Sequence, residues 1–323
     1  MRAITISLCA LALIAAPAAR AEPWVTGWFP FEIVHNGVHV PVKLAGAETT
    51  AMIDTGASVA FIDREFAEAH GVRVSEVARA QVEGAHSTRS VPLAREVPIE
   101  LFGAKIPLRD VPAGKLGRAK IIIGLNVLQA FALQIDFANS RIRFASHSAV
   151  KLDENANVEM RRERTTGLPA VRASVDGEPM WLMLDTGFAG PLSLKTAFVK
   201  SRGWEKLEDS YTTDVHGKQR PNEIYRVPLL QLGPYDLRGV RAIVELKGHI
   251  RRDQVRRDDM GVRTSGILGA EVLRQFVVTM DLKARKLHLA PAQKAAAESS
   301  DAPAPASDPL VEPEAAAPAQ PSI

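Results

Sequence analysis

The chain repeats itself. Met52-Ile53-Asp54-Thr55-Gly56-Ala57-Ser58 returns 131 positions later as Met183-Leu184-Asp185-Thr186-Gly187-Phe188-Ala189. A single Asp-Thr-Gly is no more than a turn signal, because Asp and Gly both favour turns. These two have company. Gly46 falls on Gly177 at the same offset, and Val91-Pro92-Leu93 recurs as Val227-Pro228-Leu229. Leu108-Arg109-Asp110-Val111 recurs as Leu237-Arg238-Gly239-Val240. The longest match sets Ile122-Ile123-Gly124-Leu125-Asn126-Val127-Leu128-Gln129-Ala130-Phe131 against Ile267-Leu268-Gly269-Ala270-Glu271-Val272-Leu273-Arg274-Gln275-Phe276. An aspartate-bearing strand pattern follows each copy, around Asp136 and Asp281. Features arrive in the same order twice, so whatever fold the first half adopts the second must be able to adopt too.

Local patterning points to strands. Val38 to Leu44 alternates as a half-buried strand does, after a hairpin-turn signal at Asn36-Gly37. Leu168 to Val175, after Thr166-Gly167, is the matching segment. Short apolar runs lead into each Asp-Thr-Gly. Asp63 to His70 reads as a short helix with Asp63 as N-cap and Gly71 past its end. Lys195 to Arg202, followed by Gly203, holds the matching place. Further short helices are expected after Gly124 and Gly269. The fold class predicted is mainly β: two similar lobes in one chain, related by a pseudo-two-fold axis, with few short helices.

The ends of the chain read differently. Arg2, the apolar run Ile4 to Ala16 and Ala19-Arg20-Ala21 make residues 1–21 a secretory signal peptide, with cleavage before Glu22. The run is short for a bilayer span, an uncleaved anchor being the alternative. Cys9, the only cysteine, leaves with the signal, so the exported protein relies on its core rather than on disulfides. Residues 291–323 are rich in Ala, Pro, Ser and acidic residues, the composition of a disordered tail. The boundaries expected are therefore 22–150 for the N-terminal lobe and 151–290 for the C-terminal lobe. The formal net charge of +3 falls further once Arg2 and Arg20 are removed, which gives no footing for nucleic acid.

Two aspartates held close enough to share a proton can do acid–base work, since like charges at that range cannot both ionise cheaply. One then takes a proton from a water while the other polarises a carbonyl, as in the aspartic-protease dyad that serves as the standard example. Gly56 and Gly187 leave room for the carboxyl groups to approach, and the hydroxyls of Thr55 and Thr186 can fix the loops. Two similar lobes would deliver one such loop each.

On these residues the chain resembles the retropepsin-like and pepsin-like aspartic proteases. The matching pieces are the Asp-Thr-Gly at 54–56 and the apolar-apolar-Gly with its helix at 122–131, each present again at 185–187 and 267–276. The resemblance covers roughly residues 30 to 290 and implies a fused, single-chain form. It implies Asp54 and Asp185 as the catalytic pair, braced by Thr55 and Thr186, in an aspartic endopeptidase that uses neither metal nor organic cofactor. It also implies hairpin flaps over a cleft that takes an extended peptide or protein substrate. Val82 to His86 and Val215 to Lys218 fall in the expected places, with Gly84, His86, His216 and Gly217 as flap residues. Two plain surface hairpins are the alternative.

One departure stands out. Ser58 is expected to donate a hydrogen bond to Asp54, whereas Ala189 offers no hydroxyl beside Asp185. That asymmetry predicts Asp54 as the ionised member of the pair. It also keeps open a second reading, a weakly active or inactive peptide-binding or envelope protein on the same fold. A third places the working part in the C-terminal tail. His35 and His39 lack the company of a metal site. The mixed-charge run Lys247 to Asp259 reads as a solvated surface segment, a docking loop being the alternative. The protein is expected to be exported, periplasmic or secreted, without lasting membrane insertion, and to work as a monomer.

Overall fold

The computed structural model describes residues 22–84, 87–117, 119–213, 217–245 and 261–294. The expected signal segment 1–21, residues 295–323 of the expected tail 291–323, the run 247–259 and both histidines expected in flaps, His86 and His216, lie outside the described residues. No helix among those described is long and apolar enough to cross a membrane.

The first half contributes β1 (Phe29–Pro30), β2 (Glu32–Val34), β3 (Gly37–Leu44), β4 (Ala47–Ile53), β5 (Phe61–Asp63) and β6 (Val74–Glu83). These are followed by β7 (Thr88–Leu101), β8 (Ala104–Gly114), β9 (Ile121–Ile123), β10 (Ala132–Asp136) and β11 (Arg141–Ala145). The second half begins with β12 (Val158–Arg162), β13 (Pro169–Val175), β14 (Glu178–Asp185), β15 (Leu192–Leu194) and β16 (Lys206–Thr213). It ends with β17 (Gln219–Leu232), β18 (Tyr235–Glu245), β19 (Gly266–Gly269), β20 (Phe276–Asp281) and β21 (Lys286–Pro291). The helices are α1 (Arg64–Ala69), α2 (Leu125–Leu128), α3 (Leu152–Asn155), α4 (Thr196–Lys200) and α5 (Ala270–Leu273). The chain is mainly β with short helices.

The pairing order repeats. One sheet runs β2-β3-β4-β9-β5-β8-β7-β6, with β3 also touching β7. In the other, the stretch β12-β13-β14-β19-β15-β18-β17-β16 has the same order, with β13 also touching β17. Each half inserts one short apolar strand in parallel beside the strand that ends at Asp-Thr-Gly: β9 along β4, and β19 along β14.

The same sheet also crosses the midpoint of the sequence. β10 lies antiparallel to β20 with Ile135 opposite Val278, and β1, β11 and β21 extend this layer. Ile135, Val278, Leu133 and Met280 are fully or almost fully buried within a core shared by both halves. A continuous ladder with apolar residues against one core binds the two halves far more firmly than a linker could.

Local sequence accounts for most boundaries. Asp63 caps α1, its carboxylate accepting the Phe66 N–H at 3.0 Å, and also takes the Leu116 N–H at 2.8 Å. α4 is shorter than the expected 195–202, with Lys195 as its N-cap. The hairpin turn before β3 falls one residue earlier than the sequence pattern indicates. His35 and Asn36 occupy it, both with positive φ (47° and 65°), while Gly37 pairs with Val34 in the ladder. Asn tolerates the left-handed region well, so Asn-Gly does not require the glycine to be in the turn.

Candidate active site

The two Asp-Thr-Gly loops meet. β4 and β14 carry them, each continuing directly into its aspartate, and the Asp54 N–H is tied to the Ile123 carbonyl of β9 at 3.1 Å. Their threonines are completely buried and lock together. Thr55 Oγ1 donates to the Leu184 carbonyl at 2.7 Å, and Thr186 Oγ1 donates to the Ile53 carbonyl at 2.8 Å. Each hydroxyl also accepts the other threonine's backbone N–H at 3.0 Å. Four hydrogen bonds thus join residues about 130 positions apart in a region without water to compete for them.

This lock fixes what lies above it. The carboxyl groups of Asp54 and Asp185 are in hydrogen-bonding contact. Gly56 faces the Asp185 carboxyl and Gly187 faces the Asp54 carboxyl, each so closely that an added methyl would overlap it. Glycine at both positions is therefore a steric requirement of the close approach.

Both carboxylates are cradled by backbone amides. Asp54 Oδ1 accepts the Gly56 N–H at 2.8 Å, and the Ala57 N–H adds to it. Asp185 Oδ1 accepts the Gly187 and Phe188 N–H groups, both at 2.9 Å. Burial, with the Asp185 charge beside it, pushes the Asp54 carboxyl well above the usual carboxylate range, and the two amides oppose this only in part. A raised carboxyl is what two acids sharing one proton require, and it belongs to the pair rather than to Asp54 alone. Ser58, expected to join this cradle, stands apart from it. It is exposed, and among the described residues its hydroxyl makes no hydrogen bond to Asp54. The missing hydroxyl at Ala189 therefore does not distinguish the loops in the way the sequence implied.

The hairpins expected as flaps are present in part. β6 and β7 pair up to Glu83 opposite Thr88, and Gly84 donates to the Ser87 carbonyl at 2.7 Å. β16 and β17 pair up to Thr213 opposite Gln219, with Gly217 at φ 77°. Val82 packs on a small apolar cluster of Phe61, Val91 and Ile122 that also touches Ala57 of the first loop. Ile243 of β18, opposite Ile224 of β17, lies against Gly190 of the second loop. Val82, one residue from the end of the first hairpin's ladder, and Ile243, on the strand beside the second hairpin, thus lie toward the Asp-Thr-Gly loops.

Asn36 and Arg274 take part in the site without having been singled out by sequence. Asn36 Nδ2 donates to the Ala189 carbonyl at 2.9 Å, and Arg274 Nη1 donates to Asn36 Oδ1 at 2.7 Å. The only sequence signal at Asn36 is that of a turn.

A family model described as aspartyl protease matches residues 40–127, which run from β3 through Asp54 to α2. No curated protein matches the chain significantly. The match ends before Asp185, so the second loop is known from the internal repeat and the geometry alone.

Proposed function

We propose that the protein is a single-chain aspartic endopeptidase made of two fused lobes related by pseudo-two-fold symmetry. The observation that carries this reading is the contact between the Asp54 and Asp185 carboxyl groups, one from each half, above the reciprocal threonine lock. Similarity of residues 40–127 to aspartyl proteases supports it independently.

In this mechanism the pair shares one proton. One carboxyl of the pair holds it and polarises the scissile carbonyl. The other, ionised and held by its own pair of backbone amides, takes a proton from the attacking water. The water's oxygen bonds to the carbonyl carbon, giving a tetrahedral gem-diol whose former carbonyl oxygen carries the proton of the first carboxyl. The carboxyl that took the water's proton passes it to the departing amine, the C–N bond breaks, and the proton lent to the carbonyl oxygen returns to its carboxyl as the new carboxyl product forms. An extended peptide lies between the lobes, its backbone paired with the hairpins in strand fashion. Export, as a periplasmic or secreted monomer, belongs to the same proposal and rests on the pattern of residues 1–21.

The test is to incubate the chain from Glu22 with denatured casein and a peptide library from pH 3 to 8, with and without pepstatin. Cleavage that pepstatin blocks, and that Asp54→Asn and Asp185→Asn each reduce by about a thousandfold or more, is expected. Peptide binding without cleavage at any pH would favour the binding-protein reading instead.

A further inference from the structure

The two Asp-Thr-Gly loops are not held alike. Phe61 of β5 pairs with Ile122 seven positions after Asp54, whereas Ser193 of β15 pairs with Ile267 eight positions after Asp185. The second loop therefore carries one extra residue. The first loop is supported by its own half: Leu125 and Asn126 donate backbone N–H groups to the Ala57 and Ser58 carbonyls, and Asn126 Oδ1 accepts the Ala60 N–H at 2.9 Å. In the second, Ala270 donates to Phe188 at 2.9 Å, but the next amide, Glu271, reaches only Gly190 at 3.4 Å. The extra residue turns the Ala189 carbonyl away from α5, and the Asn36 amide receives it.

We propose that Asn36 is a positioning residue: reaching across from the first half, it pins the far end of the backbone cradle that holds Asp185. The cradle consists of the Gly187 and Phe188 amides. Its near end is Thr186, fixed by Thr55 and the Ile53 carbonyl. Its far end is Ala189, fixed by Asn36. Both anchors come from the opposite half, so the two N–H donors cannot drift away from the carboxylate. Arg274, at the end of α5, strengthens the grip: a guanidinium on Oδ1 polarises the amide and makes its N–H a better donor. The arrangement is one-sided. In the matching turn of the second half, the register that sets His39 against Met52 and Ala170 against Met183 puts Gly167 where Asn36 stands, and glycine has no side chain to reach across.

This inference rests on Asp185 being one of the working carboxyl groups, and its test separates the two ideas. Asn36→Gly removes the amide but keeps a residue suited to positive φ, so the turn survives. Arg274→Met removes only the polarising charge and serves as the milder second variant. The carboxyl carbons of the pair are titrated by NMR in wild type and both variants, and kcat and KM are measured across pH where cleavage occurs. With the cradle loosened, the lower apparent pKa of the pair should rise by about half a pH unit in Asn36→Gly and by less in Arg274→Met. kcat should fall roughly tenfold with KM nearly unchanged. Titration curves that superimpose on wild type, with only thermal stability altered, would overturn the proposal. A shifted titration in a protein that cleaves nothing would leave Asn36 in its role and overturn the peptidase reading.

Discussion

Thr55 and Thr186 each accept the other's backbone N–H at 3.0 Å while donating to the carbonyl just before the other's aspartate. Neither residue has any exposed surface. Thr→Val at either position keeps the shape and removes the hydroxyl, leaving a buried N–H and a buried carbonyl without their partner. The expected loss is about 2–5 kcal/mol of unfolding free energy. Thr→Ser should lose far less. Urea denaturation of the four variants measures this, and equal losses for Val and Ser would show that the hydroxyl is unimportant.

A methyl group at Gly56 or Gly187 overlaps the opposite carboxyl. Gly56→Ala and Gly187→Ala should therefore force the pair apart and reduce peptide cleavage by about a hundredfold or more, since small displacements of reacting groups carry large kinetic costs. Far-UV circular dichroism should remain that of a folded β protein. Full activity in either variant would contradict the close approach.

The raised Asp54 carboxyl has a consequence for stability, with a definite sign. The folded state holds its proton to higher pH than the unfolded chain does. Its favourable contribution is therefore complete below the ordinary carboxylate range, and it is lost as pH rises through the higher folded value. Asp54→Asn, which cannot ionise, should raise the melting temperature near pH 7 and have little such effect near pH 3. Melting curves at the two pH values test this. A variant less stable than wild type at pH 7 would reverse the sign.

The ladder between β10 and β20 joins strands from both halves, and Ile135 within it is fully buried. The halves should unfold in one cooperative step. Ile135→Ala should lower the stability of the whole by about 2–5 kcal/mol. Calorimetry showing two separate transitions would mean that each half stands alone.

Much of this was legible in the sequence because the decisive signals are short and occur twice. The Asp-Thr-Gly loops, the N-cap at Asp63 and the helices after Gly124 and Gly269 depend on neighbouring residues, so their patterns survive in one dimension. What was not legible depends on distant pairings. The β10–β20 ladder joins segments whose patterns say nothing about each other. Ser58 was expected at Asp54, but the loop turns its side chain outward while the backbone amides of Gly56 and Ala57 do the bonding. Asn36 read as a turn residue, which it is. Its second task depends on one extra residue 150 positions away and leaves no local trace.

That task bears on symmetry. The threonine lock looks the same from either side, so a pair of identical half-length chains could have formed it. The contact from Asn36 to Ala189 exists in one direction only, and no assembly of two identical subunits can favour one direction over the other. It is a feature open only to a site whose two sides differ in sequence, as these do at Asn36 and Gly167.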